Sequence, residues 1–283
     1  MVGRVVARNW EQFRSLNLHL EIHPGWLALA GLAVFLTYAI QVESWRRVLA
    51  GWGQRLPFGP AARTWCLANM GRYVPGKVWS VAGLVFLAQR VGVPGSVATA
   101  SAFANLALAL GTGTAVGAAA TPAAVGVARL AAGLLVALGT LGVLVWPLAA
   151  RQLGRLMNAG WPLPPLPLSA VLAGGILMLL SWVTYGIAFW LLAQGLLPRG
   201  SLPIETAVGT FALGYILGML ALFAPGGVGV RELALVSLLT PVVGGGGALA
   251  LSVGSRALLT LAEASAALAS LALVRRRTPG EVT

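Results

Sequence analysis

The chain has 283 residues, 58% of them hydrophobic and 9% charged, with a formal net charge of +12 from 18 Arg and one Lys against seven Glu and no Asp. Soluble domains carry about 25% charged residues, so a water-soluble globular fold is excluded and no soluble basic domain is left to engage nucleic acid. One cysteine, Cys66, rules out an internal disulfide or thiolate cluster, and His19 and His23 fall in a polar N-terminal segment; no metal site and no cofactor is expected.

Uncharged runs cover Gly25–Val42, Val91–Ala128, Leu130–Ala150, Leu156–Pro198, Thr206–Val230 and Leu233–Ser255. Apolar stretches of this length are membrane-span candidates. They do not alternate apolar with polar residues, which argues against a β-barrel. The expected class is an all-α polytopic membrane protein.

In chain order, residues 1–23 predict an interfacial amphipathic helix. Val5, Val6, Trp10, Phe13 and Leu16 would face lipid, with Arg4, Arg8 and Arg14 toward headgroups. A single transmembrane domain follows over 24–274, then a basic tail over 275–283. Its first span is about 25–48, ending in "ESWRR". After a polar loop come two short helical stretches, 61–73 and 77–91, broken at "VPG". Spans 95–119 and 123–149 are separated by Thr121-Pro122, and a Pro-rich loop leads to a span over 166–193. A second broken pair, 203–223 and 230–243, is interrupted by "APGGVG", and the last span is 247–274.

The two interruptions share a plan. Pro75-Gly76 and Pro225-Gly226 are 150 residues apart, as are Gly95 and Gly245 before the spans that follow. This predicts two repeats, about 25–119 and 166–274, joined by a span over 123–149. If each broken hairpin is re-entrant, three full spans separate the starts of the repeats, and the second is inverted. Interrupted helices at matching positions of inverted repeats mark a transporter binding site. Arg46, Arg47, Arg55, Arg63, Arg151, Arg155 and Arg275–Arg277 share one side if the chain has five full spans. The positive-inside rule makes that side, with the C-terminus, cytoplasmic; Arg4, Arg8 and Arg14 are then left outside.

The breaks carry the chemistry. Broken helices persist in a bilayer only when buried in protein or lining a wet cavity. In "RYVPGKVW", Pro75 removes a donor and disfavours helix at Val74. Gly76 permits a close backbone approach. A helix resuming near Lys77 presents free N–H groups and a positive dipole end. With Lys77 and Arg72 alongside, this suits an anion such as a phosphate. Asn69, a turn before Arg72, adds a polar contact, and Trp79 would wall the cavity. The second break offers Pro225, Gly226 and Gly227, with Arg231 and Glu232 opening the next helix. Arg256 and Glu263 are seven residues apart, on roughly one face; ionisable groups within spans are functional candidates. Glu232 or Glu263 would pair with Arg231 or Arg256, or carry a coupling proton. Plainer roles stand beside these: Lys77 snorkelling to an interface, Arg72 as a topology charge, Arg231–Glu232 as a helix-start pair, Asn105 in an interhelical hydrogen bond, and "LALALGTGTAVGAAA" in close helix packing.

"NMGRYVPGKVW" at 69–79 and "PGGVGVRELALV" at 225–236 together resemble the flippase-like membrane family typified by the transmembrane region of lysylphosphatidylglycerol synthases. The resemblance covers about 25–274. It implies a lipid translocase in a bacterial or archaeal cytoplasmic membrane, acting on a phospholipid or a polyprenyl-phosphate-linked lipid, with a cell-envelope biosynthesis enzyme as a possible partner. Nine residues follow Val274, so the synthases' soluble aminoacyl-transferring domain has no expected counterpart, and the protein is expected not to be an enzyme. Lys77, Arg72 and Arg231 would hold the phosphate, with the backbone of Gly76 and Gly226–Gly227 against it. The alternatives are an enzyme acting on a lipid phosphate, a small-anion transporter, and a non-catalytic partner of a lipid- or glycan-synthesis enzyme.

Overall fold

The computed structural model describes residues 21–74, 78–120, 133, 135–136, 138–140, 142, 144, 165–221 and 224–275. The interfacial helix expected over 1–23, the linking span over 123–149 and the basic tail over 275–283 lie largely outside these residues. Every regular element among them is helical. Four described helices are long and apolar enough to cross a membrane.

The first apolar run forms α1, Pro24–Gly51. Pro24 opens it where its missing N–H is not needed, and Gly53 (φ 76°) closes it in the left-handed conformation that suits glycine. On one side α1 buries Ala30, Val34 and Tyr38; on the other it exposes Leu32, Phe35 and Leu36. A helix apolar on both faces is a membrane helix, its outer face meeting lipid. The short helices α2, Phe58–Asn69, and α3, Val78–Arg90, form the first broken hairpin. α4 runs Gly95–Ala120.

The second half repeats this order: a long helix α5, Leu168–Leu196, then α6, Ile204–Leu220, then a break, then α7, Val230–Arg275. The expected division into 230–243 and 247–274 is seen: α7 is two helical arms that meet at the non-helical Gly244 (φ 72°, ψ 165°), three residues after Pro241. The arms lie side by side, since Arg231 reaches Ser255 and Glu232 reaches Arg256. The inversion of the second repeat rested on the span over 123–149, so the described elements carry the repeated order alone.

Packing is dense where side chains are small. α1 lies along α5, joined by Thr37 Oγ1 donating to Thr184 Oγ1 at 2.8 Å and Ser44 Oγ donating to the Gly174 carbonyl at 2.8 Å. On α4, Gly113 receives the Trp182 ring and Gly117 the Leu213 side chain; a Cβ added at either would fall 2.7 or 2.6 Å from these atoms. The small-residue run thus serves close helix packing, the contact that drives association in lipid. One core unites α1, α4, α5, α6 and α7, and a second holds the broken hairpin α2–α3 against α1 and α4 around Trp45 and Trp65.

Candidate functional site

The two breaks meet. After Asn69 the first tightens into a 3-10 turn, Met70–Tyr73, and then opens at Val74 (φ −82°, ψ 134°), the extended geometry a following proline favours. Gly71 is needed there because an added Cβ would lie 2.7 Å from the Trp79 carbonyl group. Pro75, Gly76 and Lys77 lie outside the described residues. The second break turns through Pro225–Gly227, with Gly226, Gly227 and Gly229 all at positive φ. The turns touch: an added Cβ at Gly226 would sit 3.3 Å from Arg256 Nη2 and 3.7 Å from the Arg72 carbonyl oxygen.

A cavity of about 790 Å³ opens beside this junction, lined from the first half by Asn69, Arg72 and Tyr73 and from the second by Tyr215, Gly226, Gly227, Arg231, Arg256 and Glu263. Residues more than 140 apart in sequence therefore share one wall. Arg72 donates through Nη1 to Glu263 Oε1 at 2.6 Å and to Tyr215 Oη at 2.7 Å, and through Nη2 to Asn69 Oδ1 at 3.2 Å. Tyr73 Oη donates to the other Glu263 oxygen at 2.6 Å. Glu263 is 3% exposed, so its charge depends on these partners.

The expected pairing of Arg256 with Glu263 does not form. Arg256 Nη1 instead donates to Glu232 Oε1 at 2.6 Å, while Glu232 Oε2 accepts the Gly229 backbone N–H at 2.6 Å. Glu232, third residue of α7, reaches back to the residue capping the helix, which is the glutamate half of a capping box. Two glutamates thus clamp two arginines, and Glu263 ties α7 to the opposite break.

Arg231 stands apart. It is 7% exposed and lines the cavity, yet no ion pair engages it among the described residues. Its Nη2 donates to Ser255 Oγ at 3.1 Å, its guanidinium lies 5.3 Å from the Phe211 ring centre and 5.5 Å from that of Tyr215, and its Nε has no partner. The expected pair with Glu232, its sequence neighbour, is absent because consecutive helical residues face different directions.

Other expected residues are placed as follows. Trp79 is 53% exposed and is not part of the cavity wall, while Val78 beside it is. Pro225 falls in the second turn. Asn105, expected in an interhelical hydrogen bond, lines the cavity with a buried Oδ1 that has no hydrogen-bond partner among the described residues. Sequence reasoning missed Tyr73, Tyr215 and Trp65, all of them in the wall. Tyr73 was inside the quoted motif. Tyr215 sits in an apolar run with nothing nearby to distinguish it, and Trp65, two residues after Arg63, reads like an interfacial aromatic.

A helical domain with several helices long and apolar enough to cross a membrane, in which two helix breaks touch beside a cavity lined by arginines, defines an all-α polytopic membrane protein. A family model described as the transmembrane region of lysylphosphatidylglycerol synthase matches residues 4–263, and the chain belongs to that family. It is an integral membrane protein whose family points to lipid handling. A search among curated proteins found no match.

Proposed function

We propose that the protein is a non-enzymatic lipid translocase that carries a phosphate-bearing lipid between leaflets, with the headgroup held at the junction of the two breaks. The observation that carries this reading is Arg231: a buried cation in a cavity wall, without an acidic partner among the described residues. A buried charge with no direct ion pair is costly inside a membrane domain, and an anionic group in the cavity would relieve it by charge-assisted hydrogen bonds. Arg256, a quarter exposed, pairs with Glu232 through Nη1 and brings Nη2 beside Gly226, where it supplies a second cation. Arg72 is the lesser contributor, since Glu263, Tyr215 and Asn69 already use its donors.

The rim supports a lipid over a soluble anion. Val78, Phe86 and Phe103 line the cavity and are 67%, 55% and 40% exposed, so apolar surface surrounds its edge. A tail would lie along these side chains in the bilayer while the phosphate sits within. Glu263 stays a proposed coupling group, as a buried acid at the junction of the two breaks.

The test is reconstitution into vesicles containing tail-labelled phosphatidylglycerol, with dithionite added outside and a proton gradient imposed in either direction. Wild type should render both leaflets accessible, and Arg231→Gln should leave about half of the label protected. Equal rates for wild type, Arg231→Gln and protein-free vesicles across anionic lipids would sink the proposal. Uptake of inorganic phosphate without lipid movement would favour a small-anion transporter.

A further inference from the structure

The two halves treat one groove differently. The repeat spacing of 150 residues carries Val81 and Ala82 of α3 onto Arg231 and Glu232, and Asn105 and Leu106 of α4 onto Ser255 and Arg256. In the first half all four positions line the cavity. The cavity follows α3 from Val78 to Gln89 and α4 from Thr99 to Ala109, about 15 Å along each helix. Its mouth lies there, because Phe86 and Phe103 line it from the two helices and are also exposed. An apolar rim on a membrane domain meets lipid. The first half thus has an open side portal between α3 and α4.

In the second half the same four positions are bonded in pairs. Arg231 Nη2 donates to Ser255 Oγ at 3.1 Å, and Arg256 Nη1 to Glu232 Oε1 at 2.6 Å. Each pair joins the first arm of α7 to the second. The cavity stops at this staple. Farther along the arms, Leu235, Leu239 and Ser252 are 0%, 0% and 1% exposed and lie outside the cavity wall, whereas their first-half counterparts Val85, Gln89 and Ala102 belong to it.

Three features fit a closure built to open. Ser252 lies one turn before Ser255, and its buried Oγ has no hydrogen-bond partner among the described residues; an unpaired hydroxyl disfavours the closed form. Glu232 and Arg256 are about a quarter exposed, so their pairing contributes modestly and breaks readily. The arms join through four glycines, 244–247, and Gly244 has open space around it.

We propose that the groove between the arms of α7 is a second side portal, shut in this structure, and that the Glu232–Arg256 and Arg231–Ser255 contacts are its gate. This rests on the translocase reading: a phosphate-bearing lipid enters between α3 and α4 and leaves between the arms of α7 once the gate parts.

The test is thiol accessibility of the purified full chain in lipid nanodiscs, with Cys66→Ser removing the native thiol. Ser252→Cys places a thiol behind the gate; Ser44→Cys places one between α1 and α5, away from both grooves. N-ethylmaleimide should modify both slowly. Adding Glu232→Gln or Arg256→Gln should raise the rate at 252 by about three- to fivefold, the worth of a part-buried ion pair, and leave the rate at 44 unchanged. Arg256→Gln keeps the Glu232 contact with the Gly229 N–H, so its effect does not come from a frayed helix start. Unchanged labelling at 252 in both variants, fast labelling there with the gate intact, or a parallel rise at 44 overturns the gate. The measurement needs no lipid movement, so the two readings fail separately. A gate that opens in a protein moving no phosphatidylglycerol in the vesicle assay stands while the translocase reading falls; a silent gate in a protein that moves the lipid overturns the gate alone.

Discussion

Glu263→Gln removes the acid that neutralises Arg72 and keeps the side-chain shape. The side chain of Glu263 is 2% exposed and that of Arg72 25% exposed, with 2.6 Å between nitrogen and oxygen. Removing one partner of a fully buried pair costs about 3–5 kcal/mol, and an exposed pair is worth about 0–1 kcal/mol. Arg72 opens onto the cavity and keeps Tyr215 and Asn69 as partners, which places the loss at about 2–3 kcal/mol. For a chain of this size that lowers the thermal midpoint by roughly 4–12 °C. Arg72→Gln should lose a similar amount, since it strands the buried carboxylate. The double variant leaves neither charge unpaired, so it should recover about 2 kcal/mol against the sum of the singles. Thermal unfolding of the four proteins in one detergent measures this cycle. Losses that simply add, or single losses below about 0.5 kcal/mol, would refute the claim that this pair ties α7 to the first break.

Gly227→Ala should destabilise by about 1–2 kcal/mol for its left-handed backbone and by a further 1–3 kcal/mol for overpacking, because its Cβ would meet the Gly218 backbone at 2.9 Å. Gly53→Ala, at φ 76° with open space around it, should show the backbone part alone in the same unfolding assay. Thr184→Val removes the hydroxyl that accepts from Thr37 between α5 and α1. Its cost should be near 0.6 kcal/mol, typical of such bonds in membranes; a loss above about 2 kcal/mol would show that packing, not the hydrogen bond, was disturbed. Glu232→Gln keeps an oxygen for the Gly229 N–H but ends the charge pairing with Arg256, so it should cost about 1 kcal/mol and strengthen binding of anionic lipids. Weaker lipid binding in that variant would contradict the role of Arg256 as a cation available to the headgroup.

The sequence by itself determined the membrane class, most helix boundaries and the positions of the breaks. These are local or compositional properties: a run of apolar residues must form a helix in lipid, and Pro-Gly interrupts it wherever it stands. Asn69 beside Arg72 was legible for the same reason, being one helical turn away. Tertiary structure alone decided which charges pair. Arg256 and Glu263 share a helix face, yet each turns to a residue brought in by another segment, Glu232 and Arg72, because the two breaks touch. Arg231 is left with no ion pair among the described residues and shares one wall with Tyr215, Trp65 and Asn105. Partner choice in a low-dielectric interior is set by distances of a few ångströms, and those distances exist only once α2, α6 and α7 are packed together.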